Sequence, residues 1–570
     1  MFNTMDFVFF AGYFVVVVII GFVVARHKNA TVSDYFLAGK SLPWYAVGAS
    51  VVAAGISSEQ FVGEMGYSYR LGMPVANWEW LVFPALTIVL WIFIPIYFRS
   101  RVSTMPEYLE RRFGRHPRTI FALLSVGSYI FVNFPLVFYT GGFALNRMWG
   151  LNQTVAIWVV AVSTGLYTIY GGLLSVAWTN FFQCLLLLGG GMYVFFSGMH
   201  MIGWNFAAIL GSGQQAHLIA PADHPEIPWT AIVIMALSTN VWYYASNQYI
   251  NQRCLAARSE WDAKMGILFA GALQLVMPLA TCFPGMVYRV INPDLKITDE
   301  AYTSVVAAVV PLGLRGIVVA ALMAAIMSTI AGLVNSISTI VTLDLFRPWI
   351  GRNWPETKLV RFGQWVGGAA LLVGALIAPV VMYWENLFRY CQDIWAPMAA
   401  PVVTVFLGAA LWDRAHARGA VVCLWLAILT IPLTFVKAIL GDFGIHFLPP
   451  NIENSMVLAG TVYLVSMVLF VVFSLESASK LKATLYSVLL CGPLVALGII
   501  SPVGVALAIA VIMVATISTL MVRARGVRSP QWDRTMLRLP QGESCSWYAS
   551  NWLWWAVLVA AISAIYWKLW

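Results

Sequence analysis

Apolar stretches of membrane-crossing length recur along the whole chain. They fall at roughly 5–25, 43–67, 75–98, 117–148, 152–171, 174–200, 228–250, 262–291, 304–345, 359–382, 386–411, 418–440, 454–474, 483–500, 502–522 and 549–568. A spanning helix needs around 20 such residues, so the pattern predicts about fourteen to sixteen spans. The run 483–522 reads either as two short spans turned at Ser501-Pro502 or as something less regular.

The second stretch is interrupted. Ala53-Ala54-Gly55-Ile56-Ser57-Ser58-Glu59-Gln60-Phe61 sets a glycine, two serines, a carboxylate and an amide at mid-membrane depth. Lipid offers these groups no partners, so they are expected to face protein or a water-filled cavity. A broken helix with freed carbonyls beside a polar cluster is how transporters build ion and solute sites. The seventh stretch carries Ser238-Thr239-Asn240 and Ser246-Asn247-Gln248. That makes it the natural counterpart of the second if spans two to six and seven to eleven form an inverted pair.

Composition settles the class. Of 570 residues, 61% are hydrophobic and only 10% are charged, against about 25% charged in soluble domains. The chain reads as an all-α polytopic membrane protein. Its net charge of +9 belongs to loops rather than to a nucleic-acid surface. Basic residues cluster at Arg101, Arg111, Arg112 and Arg115, at Arg253, Arg258 and Lys264, at Arg347, Arg352, Lys358 and Arg361, and at Arg414 and Arg418. Loops 201–227 and 441–453 contain no lysine or arginine; Arg70, Arg289 and Lys296 are the exceptions to the alternation. Asp6 precedes the first span and Arg26-His27-Lys28 follows it, the reverse of a secretory signal. The N-terminus is therefore expected outside. The seven cysteines show no CxxC spacing, which argues against a disulfide framework or a zinc site. No loop is long enough for a soluble output domain, which disfavours a solute sensor, and no hydrolase or P-loop pattern marks an enzyme.

Candidate chemistry lies in the spans. Ser328 and Thr329 follow Ala324-Ala325-Ile326-Met327. Their hydroxyls either join the carbonyls of Ala53 and Ile56 around a hard cation or bond back to carbonyls one turn earlier. Glu79, Asn240 and Gln392 stand near Trp78, Tyr243 and Phe388. Carboxylate, amide and aromatic groups suit a polyhydroxylated ligand; the alternative for Glu79 is a carboxylate satisfied by neighbouring helices. Tyr170-Gly171-Gly172, leading to Trp178-Thr179-Asn180 and Gln183, reads as a structural hairpin.

These residues together resemble the sodium/solute symporter family, in particular its sodium/sugar branch of the sodium/galactose type. The resemblance runs from Asp34-Tyr35-Phe36-Leu37-Ala38-Gly39-Lys40-Ser41-Leu42-Pro43-Trp44 to at least Gln392. It includes Ile56-Ser57, Glu59-Gln60-Phe61, Tyr170-Gly171-Gly172-Leu173, Asn247-Gln248-Tyr249, Gln252-Arg253 and Asn335-Ser336. It implies a leucine-transporter-like inverted repeat of 5+5 helices with extra flanking spans. The expected parts are 1–42 as an extra span and loop, 43–200 and 228–411 as the repeats, and 412–570 as additional spans.

The resemblance also implies a sodium site at Ala53, Ile56, Ala325, Ser328 and Thr329, and solute contacts at Gln60, Glu79, Asn240, Gln274 and Gln392, with Tyr243 as inner gate. An outer gate would comprise Glu64, Trp78 and Phe388. Four positions depart from the pattern: Gln274 replaces a lysine, Val82 a serine, Glu64 an apolar residue and Asn180 an aspartate. The implied activity is sodium-coupled import of a neutral monosaccharide by alternating access, across the plasma membrane of a bacterium. A polyol, an amino sugar or another small solute is the alternative. The expected partners are sodium, the solute and the lipid bilayer, without an obligate protein partner.

Overall fold

The computed structural model describes residues 3–25, 31–211, 213–222, 224, 226–379, 387–442, 454–475, 493, 501 and 547–569; the side chains at 387–391, 438, 439, 441 and 442 are not among those described. Every extended element among them is helical, as a chain in hydrocarbon requires, because only a helix satisfies its own backbone within one segment. The predicted spans at 483–522 lie outside the described residues.

The first helix, α1, covers Thr4–Ala25. A broken crossing follows: α2, Trp44–Gly55, then a π-helical segment Glu59–Glu64, then α3, Met65–Leu71. Next come α4, Met73–Arg99, α5, Arg115–Trp149, and α6, Gln153–Met201. The second broken crossing is α7, residues 229–246, with α8, Gln248–Leu255. Then follow α9, Glu260–Val276, and α10, Pro278–Ile291. After these come α11, Ala301–Val309, and α12, Arg315–Phe346. The chain continues with α13, Glu356–Ile377, α14, Leu387–Leu411, α15, Ala417–Asp442, and α16, Ser455–Ser474. It finishes with α17, Asn551–Leu569.

Ten of the described helices are individually long and apolar enough to cross a membrane, or eleven with the bent pair α9–α10. The larger count expected from hydrophobicity has physical sources. It counts each broken crossing as a span, although neither half is long enough alone. The stretches 152–171 and 174–200 both fall in α6, but as two crossings: the chain turns back on itself at Gly172, where φ is +61°, as the expected hairpin, so that Tyr167 and Ser175 both pack on Gly21. A side chain at Gly172 would meet the Tyr35 carbonyl at 2.7 Å. The expected stretch 304–345 is instead divided: α11 ends at Val309, and a turn with Gly313 at φ +96° precedes α12. The 262–291 stretch bends by 40° where Pro278 begins α10, since proline offers no N–H to continue the ladder.

Helix α12 is the axis of the bundle. Its most apolar window is 94% buried, against 6% for α17. Small residues let its neighbours approach: a Cβ at Gly190 of α6 would lie 2.6 Å from Ala321 Cβ. Such contacts hold helices together in lipid, where no hydrophobic drive separates protein from solvent. The start of α12 is tied to α1, because the Asp6 carboxylate accepts from the N–H groups of Gly313 (3.1 Å) and Gly316 (2.9 Å), an acidic partner for a positive helix end. At the opposite end Arg118 of α5 pairs with Asp344 of α12 at 2.9 Å. The two broken crossings are joined at that end too: Leu42 exchanges backbone bonds with Ala256 and Arg258. Helix α17 leans on α4 through a stacked Trp91–Trp552 pair, centroids 3.9 Å apart.

Candidate functional site

The break between α2 and α3 organises the centre of the molecule. Helix α2 stops at Gly55, and Ile56 adopts an extended conformation. The following helical segment restarts with an arrangement close to a capping box, in which the side chains of Ser57 and Gln60 satisfy backbone N–H groups at the break. Ser57 Oγ accepts from the Glu59 N–H at 3.2 Å, and Gln60 Oε1 accepts from the Ser57 N–H at 2.8 Å. That pattern was readable in Ser57-Ser58-Glu59-Gln60. Ser58 also touches Thr140 of α5.

On one side of the break, oxygen atoms converge. Ser328 Oγ lies 2.6 Å from the Ala53 carbonyl and 2.9 Å from that of Ala325. Thr329 Oγ1 lies 3.0 Å from Ala54 O, 3.2 Å from Ala325 O and 3.4 Å from Ile56 O. The two readings of these hydroxyls are thus realised together: each bonds back to Ala325 and also reaches across to α2. All the positions expected around sodium (Ala53, Ile56, Ala325, Ser328 and Thr329) meet here, joined by the Ala54 carbonyl. The cluster is buried and contains no carboxylate. One turn earlier on α2, Ser50 Oγ accepts from Asn180 Nδ2 (3.2 Å) and from Arg253 Nε (2.9 Å). Asn180 therefore sits beside a fully buried arginine.

On the other side of the break lies a cavity lined largely by polar and aromatic side chains. Gln60, Glu79, Asn240, Tyr243, Gln274 and Gln392 all line it, together with Glu64, Trp78 and Val82. Tyr243 Oη and Gln60 Nε2 both donate to the Gly55 carbonyl, at 3.1 and 3.2 Å. Both ends of the Gln60 carboxamide are thus held by the break. Asn240 Nδ2 donates to Leu81 O at 2.9 Å, a carbonyl at the irregular turn that α4 makes at Leu81 and Val82. Gln274 Nε2 donates to Glu79 Oε2 at 2.8 Å and to Tyr244 Oη at 3.2 Å.

The gate positions are distributed unevenly. A second cavity extends past Tyr67, Glu226 and Asn454 and shares Trp78, Met235 and Gln392 with the central one. Trp78 stands at the boundary between them. Glu64, expected at the entrance, is instead fully buried in the wall of the central cavity. Its Oε1 accepts from the Cys282 thiol at 2.8 Å, because the π-helical turn before α3 rotates it toward α10. Phe388 lies on α14, and its side chain is outside the described set. Glu59, Tyr244 and Trp395 also line the cavity without having been singled out as contacts. Trp395 follows Gln392 by three residues, one turn along the same helix face, and that spacing was the available signal.

A helical bundle with two broken crossings, an oxygen cluster at one break and a cavity beside it defines a leucine-transporter-like membrane transporter. Its sequence matches the Sodium:solute symporter family over residues 35–427, and the chain belongs to that family. It is 35% identical over 447 residues to a sodium/glucose cotransporter of Vibrio parahaemolyticus, spanning 73% of this chain and 82% of that protein. To a sodium/myo-inositol cotransporter of Canis lupus familiaris it is 32% identical over 466 residues, 73% of this chain and 65% of that one. Among solved structures, a substrate-bound, outward-open Na+-coupled sialic acid symporter superimposes with a TM-score of 0.67. That pair shares 21% identity, over 77% of this chain and 98% of the other, and the likeness concerns the fold. The protein is an integral membrane symporter, not an enzyme.

Proposed function

We propose that the protein imports a neutral monosaccharide, such as galactose or glucose, or a cyclic polyol, together with sodium. The observation that carries this reading is the shared helix break. One face of it gathers the oxygens of Ala53, Ile56, Ala325, Ser328 and Thr329; the other floors a cavity lined by carboxylate, amide and aromatic groups. Neutral oxygens suit a hard monovalent cation. Carboxylate and amide oxygens accept from ring hydroxyls, amide nitrogens donate to them, and Tyr243 and Trp395 cover C–H faces. The glucose and inositol cotransporters among the relatives support both solute classes.

Coupling would pass through Gly55. A solute that draws Gln60 or Tyr243 away from its carbonyl disturbs the same turn that presents Ile56 and Ala54 to Thr329. Sodium binding would fix that turn and so prepare the solute cavity, and by linkage the solute would tighten sodium equally. The repeats 43–200 and 228–411 would then rock about the site. The membrane potential contributes about 2.3 kcal/mol per charge at 100 mV. The basic loops support an N-terminus outside, and the plasma membrane of a bacterium is the proposed location. Leu569 O accepts from Leu218 N at 3.0 Å, which puts the end of α17 at the lysine- and arginine-free loop 201–227.

Uptake of labelled glucose, galactose and myo-inositol into proteoliposomes, with and without a sodium gradient, tests this reading. At least one should accumulate only with the gradient; uptake indifferent to sodium would overturn it.

A further inference from the structure

The central cavity holds more carboxyl groups than a neutral solute needs. Glu59, Glu64 and Glu79 line it, and no described lysine or arginine does. Glu64, at the end of the π-helical segment, and Glu79, in the second turn of α4, are in side-chain contact with each other. They are 0% and 3% exposed. The elements packed around them bring only uncharged groups: Gln274 from α9, Tyr244 from α7 and the Cys282 thiol from α10. Adjacent carboxylates away from water repel, and either a shared proton or a cation seated beside them removes that repulsion. The sodium cluster does not offer this relief from within, since it lies across Gly55 and uses backbone and hydroxyl oxygens.

Two acceptors in this wall are open. Glu64 Oε2 and Gln274 Oε1 have no hydrogen-bond partner, and both residues are more than nine-tenths buried. A primary ammonium presents three N–H donors and no acceptor. It therefore matches a wall of two carboxylates and one amide oxygen, where a hydroxyl would bring a single donor. Gln274 stands where the family resemblance expects lysine, so no resident cation competes for the place.

We propose that Glu64, Glu79 and Gln274 form an ammonium subsite within the solute cavity, so that, beside the neutral sugars and polyols, the site favours a polyhydroxylated ring bearing a protonated primary amine. This rests on the central cavity being the solute site. The test uses the full-length protein in proteoliposomes with an inward sodium gradient, at neutral pH, where most of the amine is protonated. Uptake of D-glucosamine is compared with that of D-glucose, N-acetyl-D-glucosamine and myo-inositol. Glucosamine should show an apparent constant about ten-fold lower than the uncharged compounds, the scale of one charge-assisted hydrogen bond. Glu64→Gln and Glu64→Met should narrow that preference to about two-fold or less. Sodium-driven uptake of glucose or inositol without any preference for glucosamine overturns the subsite and leaves the solute cavity standing. Failure of every compound removes both. Two further results also overturn the subsite: a preference that survives in Glu64→Met, or a Glu64 effect confined to sodium affinity. The wild-type comparison needs no variant, so a misfolded substitution cannot shelter the proposal.

Discussion

The two faces of the break at Gly55 are built from opposite materials. Toward α12 the oxygens are neutral, fully buried and already bonded to one another. Toward the cavity they include three carboxylates and open acceptors. A self-paired cluster is held in position before any ligand arrives. It can therefore suit a small bare ion whose coordination depends on fixed distances. A wall with open acceptors is completed only by a ligand that brings donors. The same short irregularity thus presents a preformed face and an unfinished one, and Gly55, whose carbonyl is held by both Gln60 and Tyr243, lies between them.

Each side can be broken separately. The largest effect is expected from Glu79→Ala, which removes the acceptor bonded to Gln274 and should abolish solute uptake; Gln392→Ala should at least raise the apparent solute constant. Wild-type uptake of the preferred solute by both variants would contradict the cavity assignment. Thr329→Ala should raise the sodium concentration for half-maximal uptake by about ten-fold or more, for the loss of one oxygen held against charge. Thr329→Ser should restore most of it, and an unchanged sodium dependence in Thr329→Ala would sink the cation side.

A buried carboxylate outside the membrane gives a control for pH. Burial pushes the Asp299 carboxyl up to about 6, with Arg70 opposing. Because the folded state favours its protonated form, this contribution is full below the usual carboxylate range near 4. It is lost as pH rises through about 6, costing at most about 3 kcal/mol. Asp299→Asn should flatten the stability profile across that window in a thermal-melt series. A slope that persists would place its origin elsewhere, including the cavity acids. The smallest effect belongs to Tyr243→Phe, which removes one hydrogen bond to Gly55, worth about 1 kcal/mol. It should weaken the solute's effect on sodium affinity a few-fold. Equal coupling in wild type and variant would show that Gly55 is not the link.

Much of this was legible in the chain. The break at 55–58 announced itself because glycine and polar groups have no place facing lipid, and the partner break appears at Asn247, which is extended between α7 and α8. The candidate cation oxygens were named by the family resemblance, yet the bond from Thr329 to Ala54 depends on how α12 lies against α2. Glu64 was visible as an unusual residue, whereas its direction was not. Sequence position put it one turn beyond Gln60, toward the entrance; the π-helical turn carried it into the wall against Glu79 and Cys282.

By itself, then, the sequence determined the medium, the helical class, the place of the first break and the family. Each follows from local chemistry, namely which groups lipid tolerates and which residues end a helix. Only the tertiary structure decided which side chains share the cavity. Glu79 is far in the chain from Gln274 and Cys282, and it meets them only because α4 packs beside the bent pair α9–α10. It also decided that the carboxylates of Glu64 and Glu79 touch, since contact between distant helices is fixed by crossing and rotation rather than by the periodicity of either one.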